Sequence, residues 1–454
     1  LRLPSLKSVA LSTASALTGL ALTLGVMTPP ATAANPVTPG QFTGYGFDQC
    51  VAPTQAKMDA WLQNSPFLAV GIYVSGDSRS CRTQPNLTLT WVSTQLAKGW
   101  RLLPIALGPQ ASCNGSFPRY RDDQKIIRTP GSNGKYAEAR AQARVEAKQN
   151  VADVKKLGIV KGSTIYYDLE HFDSTNTHCR ESALAFVSAW SAKVKTYGYV
   201  PGLYGGASST IAMVDDARVN RPGKFTLPSQ IWIARWDGKA NTAAPGYVSD
   251  AGWKGGRIKQ YLGDHDETHG GVKINIDSNW LDLGTKSRTS KDRRCGKASI
   301  TNTGSYPIVS RARIAKGKAT KAQVKAVQCL LREQGYKRFQ PNGNFGPLTR
   351  SAVRKYRISQ GLPSSTNVTR TTWVRLLSDG RSGSTPVLKT GSTGTAVHRV
   401  QQALTAARVR TGTSTGHFDA TTRSQVAAYQ SKVGLQRTGV VNAVTWAKLF
   451  AGNA

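Results

Sequence analysis

The sequence predicts an α/β fold: a (β/α)8 TIM-type barrel with an irregular closing segment, followed by two small all-α domains. Three observations lead there. Eight short apolar, β-branched or aromatic runs recur over about 240 residues, mostly separated by helix-forming stretches. Several of those runs end in an acid, and the C-terminal end of the strands is the face on which such barrels place their chemistry. Beyond Lys318 the chain repeats itself at a constant offset of 73 residues.

The elements follow in order. Phe42 to Asp48 reads as the first strand, Pro53 to Leu62 as a helix, and Leu68 to Val74 as a buried strand. Asn86 caps a helix running to Ala97, and Trp100 to Leu107 is the third strand. A polar loop from Ala111 to Gly134 precedes a helix from Tyr136 to Leu157, which stops at Gly158. Thr164 to Glu170 is the fourth strand, and the next helix spans Arg180 to Tyr197. Val200 to Tyr204, Gln230 to Trp236, Arg257 to Tyr261 and Val272 to Asp277 complete the set. The connection between the last two is too short for a full helix, so irregularity is expected there.

The fourth strand carries the chemistry. Its run Thr164-Ile-Tyr-Tyr-Asp-Leu-Glu170 ends in two carboxylates, and the two-residue period puts Tyr166, Asp168 and Glu170 on one face. Neighbouring carboxylates push their pKa values apart, so one can hold a proton while another stays ionised. Glycoside hydrolysis needs that division of labour. The plainer alternative is a pair of solvated strand-end acids. Asp48, Asp237 and Asp277 end other strands and should meet the same rim. Trp236, Tyr261 and Trp280 could stack on sugar faces or serve as core, and Asp237, just before Gly238, also suits a turn. His265-Asp-Glu-Thr-His269 lacks the His-Glu start of the zinc protease motif, and Gly270-Gly271 argue against a helix. No metal or other cofactor is expected.

Composition sets the surroundings. Residues 1–33 have the layout of a secretory signal peptide: Arg2 and Lys7, an uncharged run from Ser8 to Met27, then Ala31-Thr32-Ala33. The run is long for a signal, which leaves an uncleaved anchor as the alternative. Six cysteines in an exported chain imply three disulfides, the first four residues bridging within the barrel and Cys295 pairing with Cys329. Of the 60 Lys and Arg, 30 lie from Lys286 onward, with only 4 of the 25 acids. A basic C-terminal half seeks polyanions. In an exported protein these are anionic wall polymers and lipid rather than nucleic acid. Nothing implies a stable protein partner.

The domains therefore read as a barrel over 40–285, a basic linker over 286–312, and helical domains over 313–380 and 387–454. The two copies match at Val324/Val397, Gln328/Gln401, Phe345/Phe418, Tyr356/Tyr429 and Trp373/Trp446. Their pattern of V-x-x-hydrophobic-Q, G-x-F-x-x-x-T, V-x-x-Y, G-L and T-W-x-x-L resembles the peptidoglycan-binding-like helical module. The acid usual before the first loop glycine is Asn342 in one copy and Thr415 in the other, and Gly346 becomes Asp419.

The barrel resembles the actinobacterial secreted glycoside hydrolase-like family, a domain of unknown function similar to the family-25 lysozymes. The matching pieces are Gly46-Phe-Asp48, Ala69-Val-Gly-Ile-Tyr73, Tyr167-Asp-Leu-Glu170, Gly202-Leu-Tyr204, Trp232-Ile-Ala-Arg-Trp236, Gln260-Tyr261 and Asn275-Ile-Asp277. The resemblance implies Glu170 as proton donor, with Asp168, Asp48 and Asp277 completing the carboxylate set. Tyr73, Tyr166, Trp236, Asp237, Gln260 and Tyr261 are the candidate substrate-binding residues. It implies a secreted, wall-associated hydrolase cutting β-linked aminosugar glycan as a muramidase would. The alternative is a non-catalytic glycan-binding or envelope structural protein using the same rim.

Overall fold

The computed structural model describes residues 34–115, 123–284, 289–296, 300–379 and 385–454. The expected signal peptide lies outside them, as does part of the linker. Among the described residues no helix is long and apolar enough to cross a membrane.

Eight strands close into one barrel in chain order: β1 (Phe42–Asp48), β2 (Phe67–Ser75), β3 (Arg101–Ala106), β4 (Thr164–Asp168), β5 (Val200–Gly206), β6 (Gln230–Ala234), β7 (Arg257–His269) and β8 (Val272–Leu283). Helices α1 (Gln55–Asn64), α2 (Leu89–Ala97), α3 (Ala137–Lys156), α4 (Thr177–Thr196) and α5 (Ala212–Asn220) connect the first six strands. The hydroxyls of Thr54 and Thr88 cap α1 and α2. Strand parity divides the core in two. Phe42, Ala69, Leu103, Ile105, Tyr166, Trp232, Ile258 and Leu281 fill the barrel interior, whereas Phe47, Tyr167, Trp61 and Trp190 pack between sheet and helices.

The irregularity falls where it was expected, and its cause is a reversal of direction. β1 to β7 run parallel, but β8 is antiparallel to both β7 and β1. Gly270 and Gly271, at φ +59° and +75°, make a tight turn of the kind that joins two such strands. Both strands therefore outrun the sequence estimate, which stopped at Tyr261 and Asp277. The tip leans on α1, where Trp61 donates its indole N–H to the Val272 carbonyl at 3.0 Å.

Beyond the barrel come α6 (Arg311–Ala315), α7 (Lys321–Glu333), α8 (Pro347–Ser359) and α9 (Arg370–Ser378), then α10 (Thr395–Ala406), α11 (Ala420–Lys432) and α12 (Ala443–Phe450). The repeat has a physical basis. Gln328 donates to the Asn344 carbonyl and the Thr349 hydroxyl at 2.8 and 3.0 Å, and Gln401 does the same to His417 and Thr422 at the same distances. One glutamine thus holds the loop of each copy. The two copies share a single apolar core rather than forming separate ones.

The stretch read as a basic linker is also packed in its described parts. Asp292 and Arg294 are buried as an ion pair, with Arg294 reaching the Leu377 carbonyl and Gln402. Burial pushes the Asp292 carboxyl up, but the Arg294 charge and three hydrogen-bond donors hold it well below the usual range. Disulfides join Cys50 to Cys81, Cys113 to Cys179 and Cys295 to Cys329.

Candidate active site

The inward-facing positions turn polar at the upper end of the barrel. Above the apolar layer, Trp232 donates its indole N–H to Asn279 Oδ1 at 2.7 Å, and Asn279 Nδ2 donates to Asp48 Oδ2 at 2.6 Å. Gln260 is the hub. Its amide nitrogen donates to Asp277 Oδ2 at 3.0 Å and to both Asp48 oxygens at 3.3 Å. Its oxygen accepts from the Tyr204 hydroxyl at 3.0 Å and from Trp236 Nε1 at 2.9 Å. Every hydrogen-bonding capacity of that amide is used, which fixes its orientation.

Asp277 reaches this rim by register, not by ending a strand: on the descending β8 it lies directly opposite Asp48. Its Oδ1 accepts from the Asp264 amide at 2.6 Å. The segment carrying Asp168 and Glu170 is clamped from below. Gln110 donates to the Asp168 carbonyl at 2.9 Å and accepts from the Glu170 amide at 2.9 Å, and the Thr210 hydroxyl holds the intervening Leu169 carbonyl at 2.8 Å. Asp168 has 0% exposure and Asp48 3%, while Glu170 is half-buried.

The carboxylates share one electrostatic field. Burial, then the charge of Asp277, and further down that of Glu170, push the Asp48 carboxyl well above its usual range, against hydrogen bonds from Asn279 and Gln260. Burial and the Asp264 charge also raise Asp277. The Tyr204 hydroxyl is pushed up by burial and then by Glu170, Asp168, Tyr73 and Asp48, which places it among all of them. Beside Asp48 and Asp277 opens a hollow of about 870 Å³ also lined by Tyr73, Arg79 and Asp264, with the Cys50–Cys81 disulfide in its wall; Asp168 and Glu170 are not among its lining residues. That volume lies within the span of small-ligand sites.

The remaining sequence candidates divide. Trp236 is 62% exposed on the rim, and Tyr73 lines the hollow. Tyr166 is instead a core residue whose hydroxyl turns to Gln230 at the opposite end of β6, because its position on β4 lies one inward step below Asp168. Tyr261 and Trp280 alternate out of the barrel. Tyr261 lies near Tyr45 and Arg423, where burial pushes its hydroxyl up to about 12, and Trp280 packs edge-on against Tyr45 at 4.8 Å. Asp237 accepts from the Lys239 amide and from the buried Lys259, both at 3.0 Å, so it closes a turn. Burial raises its carboxyl, but these bonds and the Lys259 and Arg235 charges bring it below the usual range. His265, Glu267 and His269 lie on one strand face with Glu267 between the imidazoles. Among the described residues no cluster suited to a metal forms. Sequence reasoning missed Tyr204, Asn279 and Gln110. Strand parity could have found Asn279, two residues from Asp277, but nothing local marks Gln110.

Two consequences are measurable. A Cβ on Gly71 would lie 2.5 Å from the Asp48 Cβ. Gly71→Ala is therefore expected to cost about 1–3 kcal/mol, read from the denaturant midpoint, with loss of any rim activity. Asp48→Asn removes a buried carboxyl whose folded-state pKa is raised, and such a carboxyl lowers stability once the unfolded chain has ionised. The variant should be more stable than the native chain at pH 8 by about 1–2 kcal/mol. The gain should fade as pH drops toward 3.8, the unperturbed value. A pH-independent difference would contradict the assignment.

Residues 59–281 match the Rv2525c-like, glycoside hydrolase-like domain, and residues 320–376 and 393–449 each match the peptidoglycan binding domain. Among solved structures, the Tat-secreted protein Rv2525c of Mycobacterium tuberculosis, in complex with L-tartrate, aligns at 15% identity with a TM-score of 0.35. The alignment covers 53% of this chain and 95% of that one. The Clostridium perfringens spore cortex lytic enzyme SleM aligns at 15% identity and a TM-score of 0.36, over 53% of this chain and 67% of its own. An uncharacterized B. stearothermophilus protein aligns at 19% identity and 0.33, over 52% and 95%. No curated protein matches. The chain is thus a glycosidase-like protein of the cell wall, built from an Rv2525c-like, glycoside hydrolase-like domain followed by two peptidoglycan binding domains.

Proposed function

We propose that the barrel rim hydrolyses β-linked aminosugar glycan of the wall, peptidoglycan above all, in the manner of a muramidase. The observation that carries this reading is the shared field: Asp48, Asp277 and Glu170, delivered by β1, by β8 and from the end of β4, shift one another's or a neighbour's proton affinity, and Asp48 and Asp277 line an open hollow. Glu170, the half-exposed member, is the proton donor to the glycosidic oxygen. Asp168 favours positive charge at the sugar, directly or by orienting a 2-acetamido group that attacks internally. Asp48 and Asp277 hold sugar hydroxyls, and Trp236 offers an exposed ring for a sugar face.

The two helical domains hold the chain on the polymer, so each adds local concentration without needing a tight site. The leader-like residues 1–33 and the two peptidoglycan binding domains support a secreted, wall-associated protein. The excess of Lys and Arg from Lys286 onward adds attraction to anionic wall polymers, which weakens with salt.

Release of reducing ends from purified peptidoglycan, native chain against Glu170→Gln, tests the proposal. Equal rates for the two would overturn it. One observation favours a second reading: Asp168 and Asp48 are almost wholly buried, as suits acids that shape a binding site. A rim that only holds glycan would bind the polymer and liberate nothing.

A further inference from the structure

On the outer face of the barrel, away from the acidic rim, α3 and α4 border a trough of about 460 Å³ closed on its far side by residues 223–226. Four cations line it: Arg140 and Arg144 from α3, Lys193 from α4, and Lys224 from the loop after α5. Among the described residues no acidic side chain lines it. Of the acids on the adjoining helices, Glu146 bonds Asn150, Asp153 bonds Ser75 and Lys156, and Glu181 pairs with Arg180 and Arg221. Burial, then the charge of Arg144 one turn away, lowers the hold of Arg140 on its proton. Like charges one helical turn apart repel each other in the free protein, a burden that an anion in the trough would relieve.

The floor between the cations is small and apolar or hydroxylic: Ser188, Ala189, Ala192, Gly223 and Thr226. We infer that this trough binds a linear phosphodiester polyanion whose charged groups alternate with short uncharged links. Charge on both walls with an uncharged strip between them fits such a chain. The trough's one aromatic, Phe225, is half-buried with the Arg221 guanidinium 5.1 Å over its ring, so it is no platform for stacked bases. The barrel would then hold the anionic polymer of the wall directly, separately from the basic C-terminal half and independently of any hydrolysis at the rim.

The test uses the full chain and poly(glycerol phosphate) as probe, with binding followed as salt is raised. Arg140→Gln/Arg144→Gln/Lys224→Gln should lose at least 10-fold in affinity and flatten the salt dependence. Arg128→Gln/Lys254→Gln/Lys316→Gln removes the same charge from exposed positions outside the trough and should lose less than about 3-fold. Thermal unfolding should show both triple variants folded. Equal losses in the two variants would reduce the effect to net charge and overturn the proposal. So would trough-dependent binding seen only with phosphatidylglycerol vesicles, or only with single-stranded DNA.

Discussion

Glu170→Gln is expected to slow the release of reducing ends from peptidoglycan by about 10²–10⁴-fold, the range over which a positioned acid contributes. The substitution keeps shape and volume and removes only the transferable proton. The main-chain bond from the Glu170 amide to Gln110 does not involve the altered group, so the segment should keep its place. Polymer binding should therefore survive, and the loss should fall on turnover rather than on retention by the wall. Glu170→Asp, which keeps the acid but draws it back by one methylene, should fall between. Gln110→Ala is the informative partner variant. It leaves every carboxylate intact but frees the Asp168 carbonyl and the Glu170 amide from their common anchor. An intermediate loss there, with unchanged polymer binding, would show that the acids must be held as well as present. Native rates in the glutamine variant would leave the rim as a binding surface.

Much of this was legible because strands obey a two-residue period. Tyr166 and Asp168 share the inside of β4, as the sequence requires, and on β1, β4, β7 and β8 the inward apolar run gives way to Asp48, Asp168, Gln260 and Asn279. The same rule applied to β7 and β8 would have turned Tyr261 and Trp280 outward, since Gln260 and Asn279 face in. Aromatic character alone leaves their face open; parity decides it. Other features lie beyond local pattern. The reversal at Gly270-Gly271 lets Asp277 meet Asp48 from the opposite direction, and only the pairing of β8 with β1 reveals it. The stretch around Asp292 and Arg294 has the composition of a flexible linker, yet one buried ion pair seats it against Gln402 and Leu377. A charge among Ser and Lys carries no mark saying that it will be buried.

Lys389 is the sharpest instance, and its replacement should have the largest effect on stability. The side chain comes from the start of the second helical repeat, is 1% exposed, and enters the end of the barrel opposite the rim. Its ammonium donates to the carbonyls of Ser65, Phe67 and Trp61 at 2.8, 3.0 and 3.4 Å, with the Trp100 ring 5.5 Å away. Those oxygens cluster at the C-terminal end of α1, where the helix dipole favours a cation. Asn442 adds a bond to the Gln63 carbonyl at 3.2 Å, and Arg423 lies over Tyr45 at 5.3 Å. Lys389→Glu sets an anion against three carbonyls in a dry site and should cost about 3–5 kcal/mol. The single unfolding transition expected of barrel and helical domains together should then split in two. Lys389→Met keeps the buried stem, loses the donors, and should cost about 1–3 kcal/mol. Titration separates this contact from plain packing. Burial pushes the Lys389 pKa well below its ordinary 10.5, so over the window between the two values the unfolded chain carries more protons than the folded one. Stability contributed by this lysine must therefore rise with pH up to about 10.5, and the native chain should pull further ahead of Lys389→Met as the solution is made alkaline. A gap that stays constant or narrows would mean that the three carbonyls hold the ammonium strongly enough to offset its burial, and that its pKa is not lowered.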